Sequence, residues 1–379
     1  MKTLSDAERL DWLQLIRTQT IGPVTFAQLL SRFGSARAAI DALPSLATKA
    51  GRRKDIRLAS QAAAADEIAN ADKIGARLIA CCEADFPAPL AQIPGAPPLI
   101  YVRGHTSLFD KPAIAIIGAR NASAVGRKMA RNLAEGLGAQ GVVVVSGLAR
   151  GIDGAAHEAS LSTGAIAVVA GGVDVIYPPE HEALTAAIAE RGAVISEQPP
   201  GATPTARDFP KRNRIISGLS RGVVVVEAAA RSGTLITARF ALEQGRDVFA
   251  VPGSPLDPRC QGANRLIRDG AMLVENARDI LDALAQQGGG AMEAGRDLFD
   301  WGPFDRGAGE APGDDYAPEI TAKVRSQVFE ALSYTPLHRD EILREIEAPT
   351  GLILDALLDL VLSGEAEEHS GGRFSLAAD

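Results

Sequence analysis

From Ile114 to Val274 the chain repeats one pattern: a short apolar run, a turn built from glycine or a small hydroxyl, then a helical stretch. The runs Ile114–Ile117, Val142–Val145, Ile166–Ala170, Ala193–Ser196, Val223–Glu227, Val248–Val251 and Met272–Val274 read as strands. They are rich in β-branched residues and apolar on both faces, as in strands covered from both sides. Alternation of such strands with helices dictates a parallel, doubly wound α/β sheet. Ligands of such sheets bind beyond the carboxyl ends of the strands. There each turn opens a helix whose free N–H groups attract anions.

The rest of the chain divides around this core. Residues 1–75 are expected to form a helical domain, with Leu10, Leu13, Ile16 and then Phe26, Leu29, Leu30 and Phe33 at helical spacing. The run from Ile21-Gly22-Pro23 to Gly34-Ser35 resembles a helix–hairpin–helix module, whose turn N–H groups can touch a nucleic-acid backbone. A small helical packing domain is the alternative. Residues 76–112 read as a connector, proline-rich over 83–112, with one strand, Leu99–Val102. The core itself is expected over 113–285. Residues 286–318 hold eight glycines and read as a flexible linker. Residues 319–379 give helices near Glu319–Leu332, Arg339–Ile346 and Thr350–Leu362, then strands Ala366–His369 and Arg373–Leu376, the layout of a winged helix. This last domain carries five Lys/Arg against twelve Asp/Glu, and its third helix has Asp355 and Asp359 but no base. That charge is the opposite of what a DNA-reading helix needs, so a protein-binding or dimer-supporting role is expected.

Composition narrows the function. The net charge of −8 excludes a generally basic nucleic-acid binder, so any anion site is local. Aromatic residues make up only 4%, which disfavours a surface that binds bases chiefly by stacking. Cys81, Cys82 and Cys260 suit reduced thiols in a cytoplasmic protein. No metal-ligand spacing is present, no apolar run reaches the ~18 residues of a membrane span, and Met1 to Trp12 is charged, unlike an export signal.

Four turns and one basic segment are the candidate site. After the first strand come Gly118, Arg120 and Ser123, with Arg120 a bidentate phosphate donor and Ser123 a helix cap. The second turn, Ser146-Gly147-Leu148-Ala149-Arg150-Gly151, offers a hydroxyl donor at Ser146 and close backbone approach at Gly147, Ala149 and Gly151. Asp153 and His157 follow on one helical face, either as a buried hydrogen-bonded pair or as a metal or acid–base site. Gly171-Gly172 forms a third turn, and Tyr177 either lines the same crevice or marks a bend. Lys211, Arg212, Asn213 and Arg214 follow Phe209; the run is either a solvated charged face or a phosphate clamp. The fourth turn holds Ser232, Gly233 and Thr234. No G-x-G-x-x-G, Walker sequence, nucleophile elbow or HExxH is present. Repeated hydroxyl/glycine/arginine turns with no evident nucleophile–base pair suit an extended polyanion better than a reacting small molecule.

In chain order, Ile117-Gly118-Ala119-Arg120, Ser146-Gly147-Leu148-Ala149 with Gly151-Ile152-Asp153, Phe209-Pro210-x-Arg212-Asn213-Arg214, Ser232-Gly233-Thr234-Leu235-Ile236-Thr237, Val251-Pro252-Gly253 and Gly262-x-Asn264 resemble the DNA processing protein A (Smf) family. The resemblance covers essentially the whole chain. It implies an extended Rossmann-like core, a helical SAM or helix–hairpin–helix-like N-terminal domain and a winged-helix tail. It implies a cytoplasmic protein, not an enzyme and without cofactor, that binds single-stranded DNA, protects it during natural transformation and loads the RecA recombinase. It implies a homodimer through the Rossmann-like domain. By that resemblance Arg120, Ser146, Gly147, Lys211, Arg212 and Ser232 meet DNA phosphates. Two positions depart from the family pattern: Ala119 stands where Ser is common, and Pro179-Glu180 brings no cation to the groove. The second reading is a nucleotide-processing enzyme similar to lysine-decarboxylase-like phosphoribohydrolases. Ser232-Gly233-Thr234 resembles their loop, but Glu243 lies far along the next helix for their catalytic glutamate.

Overall fold

The computed structural model describes residues 2–49, 57–287, 318–369 and 371–377. Residues 288–317, most of the expected linker, lie outside the described residues. The chain divides into two units: one of residues 1–3, 69–93 and 99–298, the other of residues 4–68, 94–98 and 299–379.

The second unit begins with helices α1 (Asp6–Arg17), α2 (Pro23–Phe33), α3 (Ala36–Lys49) and α4 (Gln61–Lys73), the last running on into the first unit. Ser5 caps α1 through a reciprocal pair with Glu8, which satisfies two N–H groups that would otherwise lack partners. Pro23 takes the first position of α2, where its missing N–H costs nothing, and Gly34 ends that helix in a left-handed turn. Trp12 and Phe26 meet edge to face with ring centroids 5.0 Å apart.

The first unit carries a nine-stranded sheet. Its elements are β1 (Ala76–Ala80), α5 (Ala88–Ala91), β2 (Leu99–Gly104), β3 (Ala113–Ile117), α6 (Ala124–Gly138), β4 (Val143–Ser146), α7 (Ile152–Ser160), β5 (Ala165–Val168), α8 (Glu182–Arg191), β6 (Ala193–Ser196), α9 (Asp208–Leu219), β7 (Gly222–Val225), α10 (Thr234–Glu243), β8 (Asp247–Ala250), α11 (Gln261–Arg268), β9 (Met272–Leu273) and α12 (Ala277–Gln287). The strand order is β1-β2-β6-β5-β4-β3-β7-β8-β9. The seven strands from β6 to β9 are parallel, while β2 joins β6 and β1 joins β2 antiparallel. The order reverses between β3 and β7, the switch point of a doubly wound sheet. The connector 76–112 therefore supplies two strands, not the single one expected, because Ala76–Ala80, ahead of the proline-rich part, is too short to stand out as a strand pattern. Along β3, β4 and β5 every residue is buried, as their unbroken apolar runs require.

The second unit ends in a winged helix: α13 (Pro318–Ala331), β10 (Leu337–His338), α14 (Arg339–Glu345), α15 (Thr350–Ser363), β11 (Ala366–His369) and β12 (Arg373–Leu376). Its three strands run β10-β12-β11. Both hairpin strands fall at the positions read from the sequence, and the two-residue β10 was missed. Phe374, Leu357 and Leu360 fill its core.

In the first unit, Phe249 is 1% exposed and packs among Ile116, Val224 and Val251. Replacing Phe249 with Ala should cost about 3–5 kcal/mol, read as a lowered urea midpoint with an unchanged slope.

Candidate nucleic-acid interface

Because β3, β4, β5 and β7 are parallel, the turns that follow them open on one edge of the sheet. Over the ends of β3, β4 and β5 lies a pocket of about 390 Å³. Arg120 and Asn121 come to it from the first turn, Gly147, Ala149 and Arg150 from the second, and Phe209 and Arg212 from α9. Tyr177, Pro178 and Pro204 complete one wall. The lining holds three arginines and no carboxylate.

Arg212 organises this site from below. It is 6% exposed, and its Nη1 donates to the Val168 carbonyl at 2.6 Å. Burial pushes its guanidinium down to about 10; attraction to Asp153 works against that, and the charge of Arg120 adds to it. Arg212 therefore keeps its charge at neutral pH. Asp153 turns its Oδ2 to the Gly147 and Ala149 amides, at 3.1 and 3.4 Å. Burial raises its carboxyl above the usual range, and Arg212 and those amides pull it back. The expected hydrogen-bonded pair of Asp153 and His157 is not formed: the carboxylate serves the turn amides instead of the imidazole. His157 is fully buried, and burial pushes it down to about 3, so it is neutral at physiological pH.

The turn above depends on two glycines. A Cβ on Gly147 would sit 2.0 Å from Arg212 Nη1. Gly151 has φ +80°, and a Cβ there would meet the carbonyl oxygens of Ala119 and Arg120 at 2.3 and 2.5 Å. Gly151 thus lets the second turn lie directly on the first. Between them Leu148 takes φ 56°, a left-handed conformation that costs an L residue ~1–2 kcal/mol. Its side chain is buried and its carbonyl meets His181 Nδ1 at 3.0 Å, contacts that hold the strained turn.

An aromatic pair forms the other wall. Tyr177 and Phe209 lie 5.7 Å apart at 56°. The Arg120 guanidinium stands 5.1 Å over the Phe209 ring, and that of Arg212 lies 6.0 Å from it. Arg120 and Asn121 are exposed, so both reach solvent. Arg150 is exposed too, but it pairs with Glu180, which neutralises that cation at the rim.

Of the residues expected from the sequence, Arg120, Gly147, Ala149 and Arg212 line this pocket. Others have work within the fold. Ser146 is fully buried and its hydroxyl donates to the Ile116 carbonyl at 2.6 Å, tying β4 to β3. Ser123 caps α6 as expected, but the Glu227 carboxylate receives its N–H and hydroxyl. An anion already occupies that helix start. Arg214 is buried against Glu197. Thr234 donates to the Gly118 carbonyl at 3.1 Å and receives the Ser232 hydroxyl, bridging the switch point. Gly118 packs against Ile152. Gly151 joins the two turns, while exposed Lys211, half-buried Asn213 and exposed Gly233 stand outside the pocket lining. Asn121, Arg150 and the stacking role of Phe209 escaped the sequence reading. The only signal was that Phe209 lies two residues before the basic run and that Asn121 and Arg150 lie in glycine-bearing turns. Gly262 and Asn264 brace a neighbouring loop: Asn264 makes two hydrogen bonds to the Gly253 backbone.

Two outcomes test this geometry. Gly147→Ala should displace the Arg212 guanidinium and lower stability by more than ~1 kcal/mol, read by thermal unfolding. His157 has its folded value depressed from 6.5 to about 3, so the unfolded chain binds its proton first. Its contribution is fully present above about pH 6.5 and is lost as pH falls toward 3, at roughly 1.4 kcal/mol per pH unit. The raised carboxyl of Asp153 acts in the opposite sense near its own titration. His157→Gln should flatten the His-dependent part of the slope in urea titrations between pH 4 and 6.5.

Comparison with known proteins agrees with this architecture. The model of the family "DNA recombination-mediator protein A" matches residues 77–285. A "DprA-like N-terminal HHH domain" matches 6–70 and a "DprA winged helix domain" matches 312–372. The chain is 46% identical over 198 residues to DNA processing protein DprA of Streptococcus pneumoniae, covering 52% of this chain and 70% of that one. It is 36% identical over 345 residues to a putative DNA processing protein DprA of Mycobacterium tuberculosis, covering 86% and 82%. Among solved structures, DprA from Streptococcus pneumoniae aligns with TM-score 0.59 at 34% identity, covering 74% of this chain and 98% of that one. A Helicobacter pylori DNA processing protein A, whose structure describes a single-stranded DNA binding mode, aligns with TM-score 0.52 at 28% identity over 56% and 96%. With three domain models matched in the family's order, the chain belongs to the DNA recombination-mediator protein A (DprA) family.

Proposed function

We propose that this protein binds single-stranded DNA in the pocket over β3, β4 and β5, protects incoming strands during natural transformation and loads RecA onto them. One observation carries the DNA part: two arginines, Arg120 and Arg212, lie by the ring of Phe209, which meets Tyr177 at a tilt, in a pocket with no carboxylate in its lining. Arginine supplies phosphate contacts and the ring faces accept a base of any sequence, the combination that favours unpaired strands. Membership in the DprA family and the single-stranded DNA mode of the Helicobacter pylori relative support the same reading. Membership in the DprA family supports the reading of RecA loading and of a cytoplasmic setting. Cys81, Cys82 and Cys260 form no disulfide, and no described helix is long and apolar enough to cross a membrane.

The enzymatic reading finds less support. Glu243, its candidate catalytic acid, sits at the end of α10 and pairs with Arg239 outside the pocket lining. A homodimer through the core is supported by the exposed Leu242 and by the exposed Met272 and Leu273 on edge strand β9.

Fluorescence anisotropy with a labelled single-stranded oligonucleotide tests the pocket. Arg120→Ala is the cleaner variant, since Arg120 is exposed whereas Arg212 also holds the fold. It should cost on the order of 1–3 kcal/mol and lower the slope of log affinity against log salt by ~0.7. Unchanged binding would remove the pocket from consideration. Glu180→Gln should release Arg150 and tighten binding about two- to five-fold at low salt. Turnover of a nucleoside monophosphate would favour the enzyme instead. Charged replacements at Met272 and Leu273 should yield monomers in sedimentation equilibrium.

A further inference from the structure

The pocket opens on an edge of the sheet whose two flanks carry opposite charge. Toward β6 the edge carries exposed Glu180 and Glu182 and half-buried Asp174 and Asp208. Glu180 cancels Arg150, which leaves Glu182, Asp174 and Asp208 against exposed Arg207 on that flank. Across the switch point the sign reverses. The turn after β7 begins at Glu227, but that carboxylate is buried and accepts the Ser123 N–H and hydroxyl. The residues that follow it to solvent are Ala229, Ala230, Arg231 and Gly233. Arg127 and Lys128, at the start of α6, are exposed as well.

The sheet fixes where Arg231 stands. β7 pairs with β3 in parallel, and the Val226 N–H donates to the Ile117 carbonyl at 3.1 Å. The Thr234 hydroxyl donates to the Gly118 carbonyl, also at 3.1 Å. Adjacent strands lie about 4.8 Å apart, so the β7 turn is the immediate neighbour of the turn that carries Arg120. The other polar side chains of the β7 turn are spent within the fold. The Ser232 hydroxyl donates to Thr234 and accepts the Thr234 N–H at 3.2 Å. Arg231 is different: it is exposed, and its guanidinium has no hydrogen-bond or ion-pair partner among the described residues. A Cβ on Gly233 would meet nothing within 4 Å, so the ground beside Arg231 is open.

We propose that a strand held in the pocket leaves it across the switch point, over the β7 turn, and that Arg231 takes one of its next phosphates. The inference rests on the reading of the pocket as a single-strand site and adds a direction to it. Toward β6 each further phosphate meets carboxylates. Toward β7 it meets a planar guanidinium in solvent, which can hold a phosphate by two parallel hydrogen bonds. The switch point of a doubly wound sheet usually forms the ligand crevice itself. Here Thr234 bridges it and Glu227 fills the α6 start, so it serves as a track over which a strand passes.

The test uses the full chain and labelled oligothymidines of about three and about ten nucleotides, below and within the usual span of a single-strand groove. Arg231→Ala should weaken the longer probe about five-fold or more at low salt and lower its slope of log affinity against log salt by ~0.7. The shorter probe should bind within about two-fold of the unaltered chain, since it ends inside the pocket. Arg231→Lys keeps the charge and should recover most of the affinity for the longer probe. Thermal unfolding should be unchanged in both variants, because Arg231 is exposed. An unchanged affinity for the longer probe overturns the route. An equal loss on both lengths overturns it too, since Arg231 would then act within the pocket. Arg120→Ala separates the two readings: it should weaken both lengths, and no effect on the shorter probe would remove the pocket itself, whatever Arg231 shows.

Discussion

A buried guanidinium holds the candidate site together. Arg212 lies under the pocket floor, bonded to the end of β5 and opposed by Asp153. A charge in such a place survives only when it is paired and hydrogen-bonded, and removing one partner of a buried pair typically costs ~3–5 kcal/mol. Its neighbours are arranged accordingly. Gly147 lacks a side chain so that Arg212 can lie across it, Asp153 gives its carboxylate to the turn amides, and His157 stays neutral beside two charges.

The same economy appears at the helix starts. Three could have offered amides to an outside anion. In α6 the start is taken by Ser123 and Glu227, and in α2 by Glu368. At α7 the preceding turn gives its amides to Asp153. At α6 and α2 the helix start is satisfied by a carboxylate, while the pocket lining offers guanidinium groups and aromatic rings. That separation suits a polyanion held by several weak contacts, since no helix dipole is committed to a single deep site.

Glu180 sets the balance further. Paired with Arg150 at the rim, it removes one cation from the groove. The net negative charge of the chain points the same way, so attraction to any polyanion has to come from local cations.

The sequence alone determined the architecture of the core, because β-branched runs between helical stretches leave few alternatives to a parallel sheet. It also determined the winged-helix hairpin and the candidate status of Arg120, Gly147, Ala149 and Arg212. It could not assign roles to serines and glycines in the turns. A serine at a turn reads as a phosphate donor whether it faces solvent, as a site requires, or lies at 0% exposure bonded to Ile116, as Ser146 does. Only the tertiary structure decided that Ser123 meets Glu227, that Arg214 is spent on Glu197, and that Tyr177 and Phe209, thirty-two positions apart, form one wall. Such pairings join residues distant in the chain, and local pattern carries no record of them. The acidic third helix shows the same limit. Its charge was plain in the sequence, but its partner, Arg32, lies more than three hundred residues away and came together with it only in the fold.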